Sequence, residues 1–362
     1  MASAAQFFAK VYNKTGDSIR QTIPASMFLS APTIVREVGK PAGDIEFELA
    51  LPYDDFGYGD SDGLNLFDLV KVYVANEDQP NGTLVYQGHI EEIRGVLDKE
   101  NNHVAIRLFP IDALFGRSLW KDADYVVGYS AADVDTMFSD AVDDVNTIYG
   151  ATFFTKNLAN PGVSITVDFT RVTHLDALGQ AVAFLGGTYY WRVRPNGQVD
   201  LQTFNDSTAD HKLTVGKDVD ALDIVRSVMN LKNKVVVSWG GTPTDAEYTD
   251  ATSVTNYGRR MSLLSEPGIG DSGSSDAKGN GEIARLKNPF TQTIVTVNSQ
   301  YALQSSILPG DTVQVRNVSN GSSQMLTGVL RVVRVEYDGI TAILHLADIA
   351  DNFGQEFSMA IA

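Results

Sequence analysis

Residues 67–93 read FDLVKVYVANEDQPNGTLVYQGHIEEI and contain the pattern that decides the fold class. Two runs rich in valine, leucine, isoleucine and tyrosine are separated by a polar segment that ends in Asn81-Gly82, the strongest short signal for a β-hairpin. Residues 44–51 (DIEFELAL) and 103–109 (HVAIRLF) alternate apolar and polar side chains, as half-buried strands do. Several short strands with polar turns predict a sandwich or a barrel in the first third of the chain.

The hydrophobic period changes between residues 113 and 204. Ser130 is the predicted N-cap of a helix whose apolar positions recur between Val134 and Val145 with helical spacing. Thr173 begins a second helix with the spacing of a capping box. An aromatic strand, a turn at 195–197 (Pro-Asn-Gly) and a return strand follow. This segment is therefore predicted to be a small α+β module.

Strand patterns return after residue 213. They cover residues 231–239, 290–297, 311–318, 326–337 and 340–347. Residues 240–289 have little regular pattern, and the run GDSGSSDAKGNG at 270–281 predicts a flexible loop, with a short helix near 282–286.

The resulting fold class is mainly β with an α+β insertion. The predicted units are a first β-barrel at residues 1–112, the α+β module at 113–204 and a second β-barrel at 205–362. A chain of 362 residues is long enough for two or three such units.

Composition excludes several classes of protein. The hydrophobic fraction of 43% and the charged fraction of 20% are ordinary for a soluble globular protein, and no apolar run is long enough to span a bilayer. The N-terminus lacks the pattern of a secretory signal, so synthesis in a cytoplasm is expected. The absence of cysteine removes disulfides, thiol catalysis and thiolate metal sites.

Net charge argues against nucleic-acid recognition and points to an acidic surface. The formal charge of −17 opposes binding to phosphate, which requires clustered lysine and arginine. Residues 1–112 hold 17 acids and 9 bases, and the polar face of the strand at 44–51 carries Asp44, Glu46 and Glu48. An ordinary solvated surface explains this charge as well as a functional one does.

Catalytic motifs are weak throughout the sequence. The five histidines, at 89, 103, 174, 211 and 345, include no HExxH pair, and no GxSxG elbow supports a Ser-His-Asp triad, although sequence separation alone leaves a triad open. The acid pairs Glu91-Glu92 and Asp143-Asp144 place their side chains on different faces of a strand or on a solvated helix face. The sequence therefore predicts no enzyme, no cofactor and no metal site.

Two further motifs allow either a structural or a functional interpretation. The segment Asp60-Ser61-Asp62-Gly63 resembles the start of a calcium loop but lacks EF-hand spacing, so a solvated turn is favoured. The aromatics Tyr189, Tyr190 and Trp191 could form a stacking platform for a sugar or base, but packing in the protein interior is favoured.

Four stretches, in this order, resemble the hub proteins of phage tail tips and baseplates. They are residues 67–93, with the step Gly88-His89-Ile90; residues 175–204; residues 225–239, which include RSVMNLKNKVVVSW; and residues 306–347, which include ILPGDTVQVRNV. The loop at 240–289 is longer and richer in glycine than that family's pattern predicts, and the first 40 residues match no part of it.

The resemblance implies two tandem tail-tube-type barrels and a structural hub subunit in a virion tail tip or baseplate. It implies a homotrimeric ring that closes or extends the tail tube, with Asp44, Glu46 and Glu48 as candidates for the bore or rim past which DNA is ejected. The implied partners are a tail tube or distal tail protein, tail-tip spike or fibre proteins involved in host attachment, and a tape measure protein.

Three alternatives stay open at this point. One is the hub of a bacterial contractile injection system, which has related parts. Another is a carbohydrate- or receptor-binding β module that uses Tyr53, Tyr58 and the aromatics at 189–191. The last is a wall-degrading enzyme with two carboxylates.

Overall fold

The structure, a computed structural model, describes most of the chain. The described residues are 6–50, 63–75, 81–96, 103–120, 126–185, 188–204, 208–240, 244–297, 306–320, 323–324, 329–339 and 341–347. Within them the fold is mainly β with curled sheets and a small helical part, as the sequence predicts.

The first half of the described chain contains strands β1–β12 and helices α1–α3. They are β1 Gln6–Tyr12, β2 Ile19–Ile23, β3 Ile34–Glu37, β4 Ile45–Leu49, β5 Leu69–Ala75, β6 Thr83–Val96, β7 His103–Pro110, α1 Leu114–Arg117, β8 Val126–Asp133, α2 Val134–Tyr149, β9 Thr155–Leu158, β10 Ser164–Thr170, α3 His174–Ala183, β11 Tyr189–Val193 and β12 Gln198–Thr203.

The second half contains strands β13–β23 and helices α4 and α5. They are β13 His211–Thr214, β14 Val219–Ser227, β15 Lys234–Trp239, β16 Thr244–Thr249, α4 Ala251–Tyr257, β17 Met261–Glu266, α5 Ser272–Leu286, β18 Phe290–Val297, β19 Thr312–Arg316, β20 Ser319–Asn320, β21 Ser323–Gln324, β22 Leu330–Tyr337 and β23 Ala342–Ala347.

The N-terminal sheet has six strands in the order β2-β1-β5-β6-β7-β4. The predicted pair β5 and β6 is antiparallel, and β4 pairs antiparallel with β7 at the edge of the sheet. In β4, Ile45, Phe47 and Leu49 are buried while the alternate side chains face outward, which confirms the predicted alternation.

The C-terminal sheet has seven strands, and one of them comes from the beginning of the chain. Its main path is β13-β19-β22-β23-β18-β14, and β3 pairs antiparallel with β22, with Arg334 opposite Glu37. One continuous apolar core includes side chains from both large sheets, and Phe7 of β1 contacts Tyr337 of β22 with ring centroids 6.3 Å apart. The proposed division of the chain at residues 112 and 204 stays a prediction.

The middle segment is α+β, as predicted. Thr173 caps α3, because its Oγ1 accepts a hydrogen bond from the backbone N–H of Asp176 at 3.1 Å and donates one to the carboxylate of that residue at 2.7 Å. The hairpin of β11 and β12 turns at Gly197, where φ is +83° and a Cβ would lie 2.1 Å from the carbonyl oxygen of Phe153.

The predicted cap of α2 is wrong. Ser130 lies within β8, and the N-cap is Asp133, the last residue of that strand. The carboxylate of Asp133 makes no capping hydrogen bond because it accepts one from the hydroxyl of Ser164 on the neighbouring strand β10.

The predicted flexible loop at 240–289 is also wrong over its described residues, although the short helix predicted near 282–286 is confirmed as the end of a longer helix. They form β16 and β17 on either side of β15, together with α4 and α5. Helix α5 begins at the N-cap Asp271, whose carboxylate accepts from the N–H of Ser274 at 2.8 Å. Its Gly279 allows the Tyr248 ring to approach, because a Cβ there would lie 2.1 Å from a ring atom. Contacts with the sheet thus stabilise a helix that its glycine-rich sequence does not favour.

Candidate functional site

The three candidate bore acids lie together on the exposed side of the N-terminal sheet. Asp44 immediately precedes β4, while Glu46 and Glu48 project from the strand, opposite its buried apolar side chains. In register, Glu46 lies beside Arg107 of β7, and Arg107 lies beside Glu92 of β6. The acids are therefore part of a charged surface that crosses three strands.

Each of these acids has a basic neighbour. The pairs are Asp44 Oδ2 with Arg107 Nη2 at 2.8 Å, Glu46 Oε1 with Arg94 Nη2 at 2.9 Å, and Glu48 Oε1 with His103 Nε2 at 3.6 Å. Arg117 Nη2 bonds Glu91 Oε1 on the same sheet at 2.9 Å. We define these four pairs and Glu92 as the charged face. Glu91 and Glu92 both lie beside Arg107 because the strand register shifts between Ile90 and Glu92, so their predicted placement on different faces is wrong. The charged face has five carboxylates and three arginines, so it is less acidic than β4 alone suggests.

A second group of charges is buried where the hairpin meets the C-terminal sheet. Arg192 of β11 bonds Asp200 of β12 at 2.9 Å, Asp311 at 2.7 Å and the carbonyl oxygen of Pro309 at 2.6 Å. The side chain of Arg192 is 7% exposed and that of Asp200 is fully buried. His211 Nε2 lies 3.1 Å from the other oxygen of Asp311. We call these residues the buried charge junction.

Electrostatics at this junction favour the charged forms. Burial alone would raise the pKa of Asp200, but hydrogen bonds from Asn157, Arg194 and Arg192 hold it below its ordinary value. Burial also opposes ionisation of Asp311, yet its contacts with His211 and Arg192 lower its pKa. The positive charge of Arg192 therefore stabilises the negative charges of Asp200 and Asp311 in the protein interior.

Arg36 extends the connection to the N-terminal sheet. Its guanidinium donates to the carbonyl oxygens of Val193 at 3.3 Å and Val85 at 3.2 Å, which belong to β11 and β6. Asp112, in the same small cavity, accepts from the N–H of Ala42 at 3.0 Å. Burial raises the pKa of Asp112 and lowers that of Arg36. These contacts hold both large sheets and the hairpin in one arrangement.

Ser118, His174 and Asp144 have the composition of a catalytic triad. Ser118 Oγ lies 3.0 Å from His174 Nδ1, and His174 Nε2 lies 2.8 Å from Asp144 Oδ2. However, Ser118 Oγ donates to the carbonyl oxygen of Leu114 at 3.0 Å, and His174 is fully buried. The ring nitrogens are also reversed relative to a serine hydrolase, in which Nε2 faces the serine. This arrangement links α2 and α3 and offers substrate no exposed nucleophile.

The other histidines have structural environments. His89 is buried, with Nδ1 3.0 Å from the carbonyl oxygen of Phe67, and burial lowers its pKa to about 4. His345 is also buried, beside Glu336 at 3.3 Å, and its pKa is lowered mainly by burial. Within the described residues no group of three histidine or acidic side chains is arranged to hold a metal ion.

The hairpin aromatics are packed inside the protein. Trp191 is 3% exposed and meets Phe138 edge to face, with ring centroids 5.9 Å apart. Tyr190 is 7% exposed and packs against Phe204 with centroids 4.6 Å apart. These rings cannot form the sugar platform of the alternative hypothesis. Tyr53, Tyr58 and the possible calcium ligands at 60–62 lie outside the described residues.

Sequence reasoning missed the buried charge junction. One signal was available, because Arg192 and Asp200 are paired in register across a hairpin whose neighbouring positions are apolar and aromatic. The contacts of Arg192 with Pro309 and Asp311 depend on residues more than 100 positions away and have no local signal.

Comparisons with known proteins show the fold. No family model matches the chain, and no curated protein sequence matches it. The structure is similar to a tail protein from Neisseria meningitidis MC58 (TM-score 0.65, 13% identity, 95% of this chain and 96% of that one). It is similar to the 43 kDa tail protein of prophage MuSo2 from Shewanella oneidensis (TM-score 0.63, 14% identity, 95% of this chain and 98% of that one). It is also similar to a chain of the Francisella PdpA-VgrG complex (TM-score 0.54, 10% identity, 97% of this chain and 53% of that one).

The first two similarities extend over nearly the full length of both chains. The arrangement of sheets and helices described above is therefore that of phage tail proteins, and the resemblance predicted from the four sequence stretches is confirmed at the level of the fold. Among the described residues, none of the helices combines the length and the apolar character needed to cross a membrane.

Proposed function

We propose that this chain is a structural subunit of a phage tail tip or baseplate, and that three copies form a ring that closes or extends the tail tube. The observation that supports this proposal most strongly is the full-length similarity to two tail proteins. In a virion such a ring docks the tail tube or distal tail protein on one side and spike or fibre proteins on the other. The chain acts by assembly and not by catalysis.

Two features of the site support a structural role. The buried charge junction and Arg36 connect three parts of the chain, so each subunit behaves as a rigid part of an assembly. The serine, histidine and aspartate that could have formed a triad are used to join two helices.

We assign the charged face to the bore or rim of the ring. Its three arginines are each bonded to a carboxylate, so a passing phosphate would have to displace an existing ion pair to be held. A surface of this kind lets nucleic acid pass without binding it.

A second candidate is the corresponding hub of a bacterial contractile injection system. It is favoured by the match to the Francisella PdpA-VgrG complex, a bacterial complex in which the similarity covers almost all of this chain. Both candidates predict the same ring and differ in the partners that bind it.

Electron microscopy of the purified protein tests the ring. Because the chain has no cysteine, Glu46→Cys provides a single thiol for a gold label, and the unsubstituted protein is the unlabelled control. We expect a threefold particle with a central hole and gold density beside the hole. Monomers at tens of micromolar would refute the ring, and gold at the outer perimeter would refute the position of the charged face.

A further inference from the structure

The two most exposed large apolar side chains in the described part of the protein lie on two segments that are joined by hydrogen bonds. They are Met229, which is 80% exposed, and Leu263, which is 70% exposed. Val228 and Met261 beside them are 38% and 49% exposed. Clusters of this kind on a soluble protein mark surfaces that bind other molecules.

One side-chain hydrogen bond, one backbone hydrogen bond and the strand register define how the two segments adjoin. Arg260 Nη1 donates to the carbonyl oxygen of Val228 at 3.3 Å, and the carbonyl oxygen of Arg260 accepts from the N–H of Lys234 at 3.0 Å. Met261 lies opposite Lys234 in the register of β17 with β15, and Leu263 lies opposite Val236. We call Val228, Met229, Met261 and Leu263, with Arg259 and Arg260, the basic apolar patch.

These two segments are basic, although Glu247 of the neighbouring strand β16 bonds one of their lysines, Lys234, at 2.6 Å. Residues 225–234 and 257–263 contain five basic residues and no acid, in a protein with 28 bases and 45 acids. The five are Arg226, Lys232, Lys234, Arg259 and Arg260. Apolar side chains with a charged rim are the usual composition of a specific protein interface.

The patch also lies on a strand edge. In the three-stranded sheet β16-β15-β17, β17 is an outer strand, and within the described residues it pairs with β15 alone. An edge strand that carries exposed apolar side chains is a template for pairing with another chain.

We propose that the basic apolar patch is the surface by which each subunit binds the next copy of this chain, against an acidic surface of that copy. The inference rests on the proposed ring. Complementary charge identifies the occupant, since every copy carries a net charge of −17. A twofold contact of the patch with itself would bring Arg259 and Arg260 of two copies together, which like-charge repulsion disfavours. A contact between two different surfaces avoids this repulsion and is the type that generates rings of three or more subunits.

Sedimentation velocity of charge-introducing variants tests the patch. Leu263→Glu and Met229→Glu place a carboxylate on a solvent-exposed side chain, so the fold should persist, which circular dichroism checks. Leu29→Glu is the matched control, because Leu29 is 53% exposed and lies outside the patch. We expect the subunit dissociation constant to rise about 30-fold or more for the two patch variants, as for central interface residues, and to stay unchanged for the control.

Cross-linking identifies the opposite surface. Met229→Cys gives the protein a single thiol, which can carry a benzophenone photo-cross-linker. We expect cross-links to an acidic surface of a second copy. Cross-links between two copies of position 229 would overturn the inference.

The outcomes separate this inference from the proposed function. Oligomeric wild-type protein with equally oligomeric patch variants would overturn the patch and leave the ring standing. Monomeric wild-type protein would overturn both, since no second copy would then occupy the patch.

Discussion

Replacing Arg192 with methionine tests how the buried charge junction stabilises the protein. Methionine keeps much of the length and apolar volume of the arginine side chain but removes the guanidinium. The substitution therefore breaks the contacts with Asp200, Asp311 and the carbonyl oxygen of Pro309 and leaves the surrounding strands in place.

The expected loss follows from what remains around the two carboxylates. Breaking a buried ion pair by removing one partner costs about 3–5 kcal/mol, because the other charge stays buried. Asp200 retains Arg194 at 2.6 Å and Asn157 at 2.8 Å, and Asp311 retains His211 at 3.1 Å, so part of this cost is offset. We expect the free energy of unfolding to fall by about 2–4 kcal/mol at neutral pH.

The pH dependence follows from the pKa values of the two aspartates. Both are lowered in the folded protein, so their stabilisation is present above the ordinary value of 3.8 and is lost as the pH falls through the lower folded values. In the variant the pKa values rise, so its deficit relative to wild type should shrink below pH 4. Urea unfolding followed by tryptophan fluorescence, to which Trp191 beside the substitution contributes, measures both effects.

Arg94→Met is the control for this experiment. Arg94 and Glu46 form an exposed pair, with side chains 57% and 51% exposed, so its loss should cost less than about 1 kcal/mol. A deficit for Arg192→Met no larger than that of the control, or one that is independent of pH, would refute the view that the junction compensates buried charge.

Two other predictions concern His89 and Gly197. Burial lowers the pKa of His89 from 6.5 to about 4, so as the pH falls the unfolded state binds the proton before the folded state does. The free energy of unfolding should therefore decrease by up to about 3 kcal/mol as the pH is lowered from 6.5 to 4. Urea titrations at several pH values should show this slope in wild type and a shallower one in His89→Gln; equal slopes would contradict the assignment. Gly197→Ala should cost more than about 2 kcal/mol in urea unfolding, because a Cβ would lie 2.1 Å from the carbonyl oxygen of Phe153. Gly162 is the control, because its φ is +63° and no atom lies within 4 Å of an added Cβ, so Gly162→Ala should cost only about 1 kcal/mol. An equal loss of stability at both glycines would exclude the steric explanation.

Local pattern was sufficient for elements whose stability is mainly local. The alternation in β4 and the cap at Thr173 could be read from the sequence because strand period and capping hydrogen bonds involve neighbouring residues. Only the end of helix α5, near 282–286, could be predicted, because Gly279 lowers the helix propensity of the rest and is required by the approach of Tyr248, more than 30 residues away.

The candidate site shows the same limit. The acids of β4 were found on one exposed face, as their alternation predicts, but their ion pairs with Arg94 and Arg107 depend on strands that follow much later in the chain. Whether they line a bore depends on other copies of the chain, and the assignment stays a proposal. The possible triad illustrates the converse, because the hydrogen bond of Ser118, the burial of His174 and the orientation of its ring, which only the structure shows, rule out an exposed nucleophile.

The pairing of β3 with β22 has a consequence for biosynthesis. Residues 34–37 leave the ribosome almost 300 residues before residues 334–337, with which they pair. Until then β3 lacks its partner strand β22, and contacts of such long sequence separation form slowly. The C-terminal sheet therefore gains its full set of described strands only after β22 and β23 have been made, about 300 residues after β3.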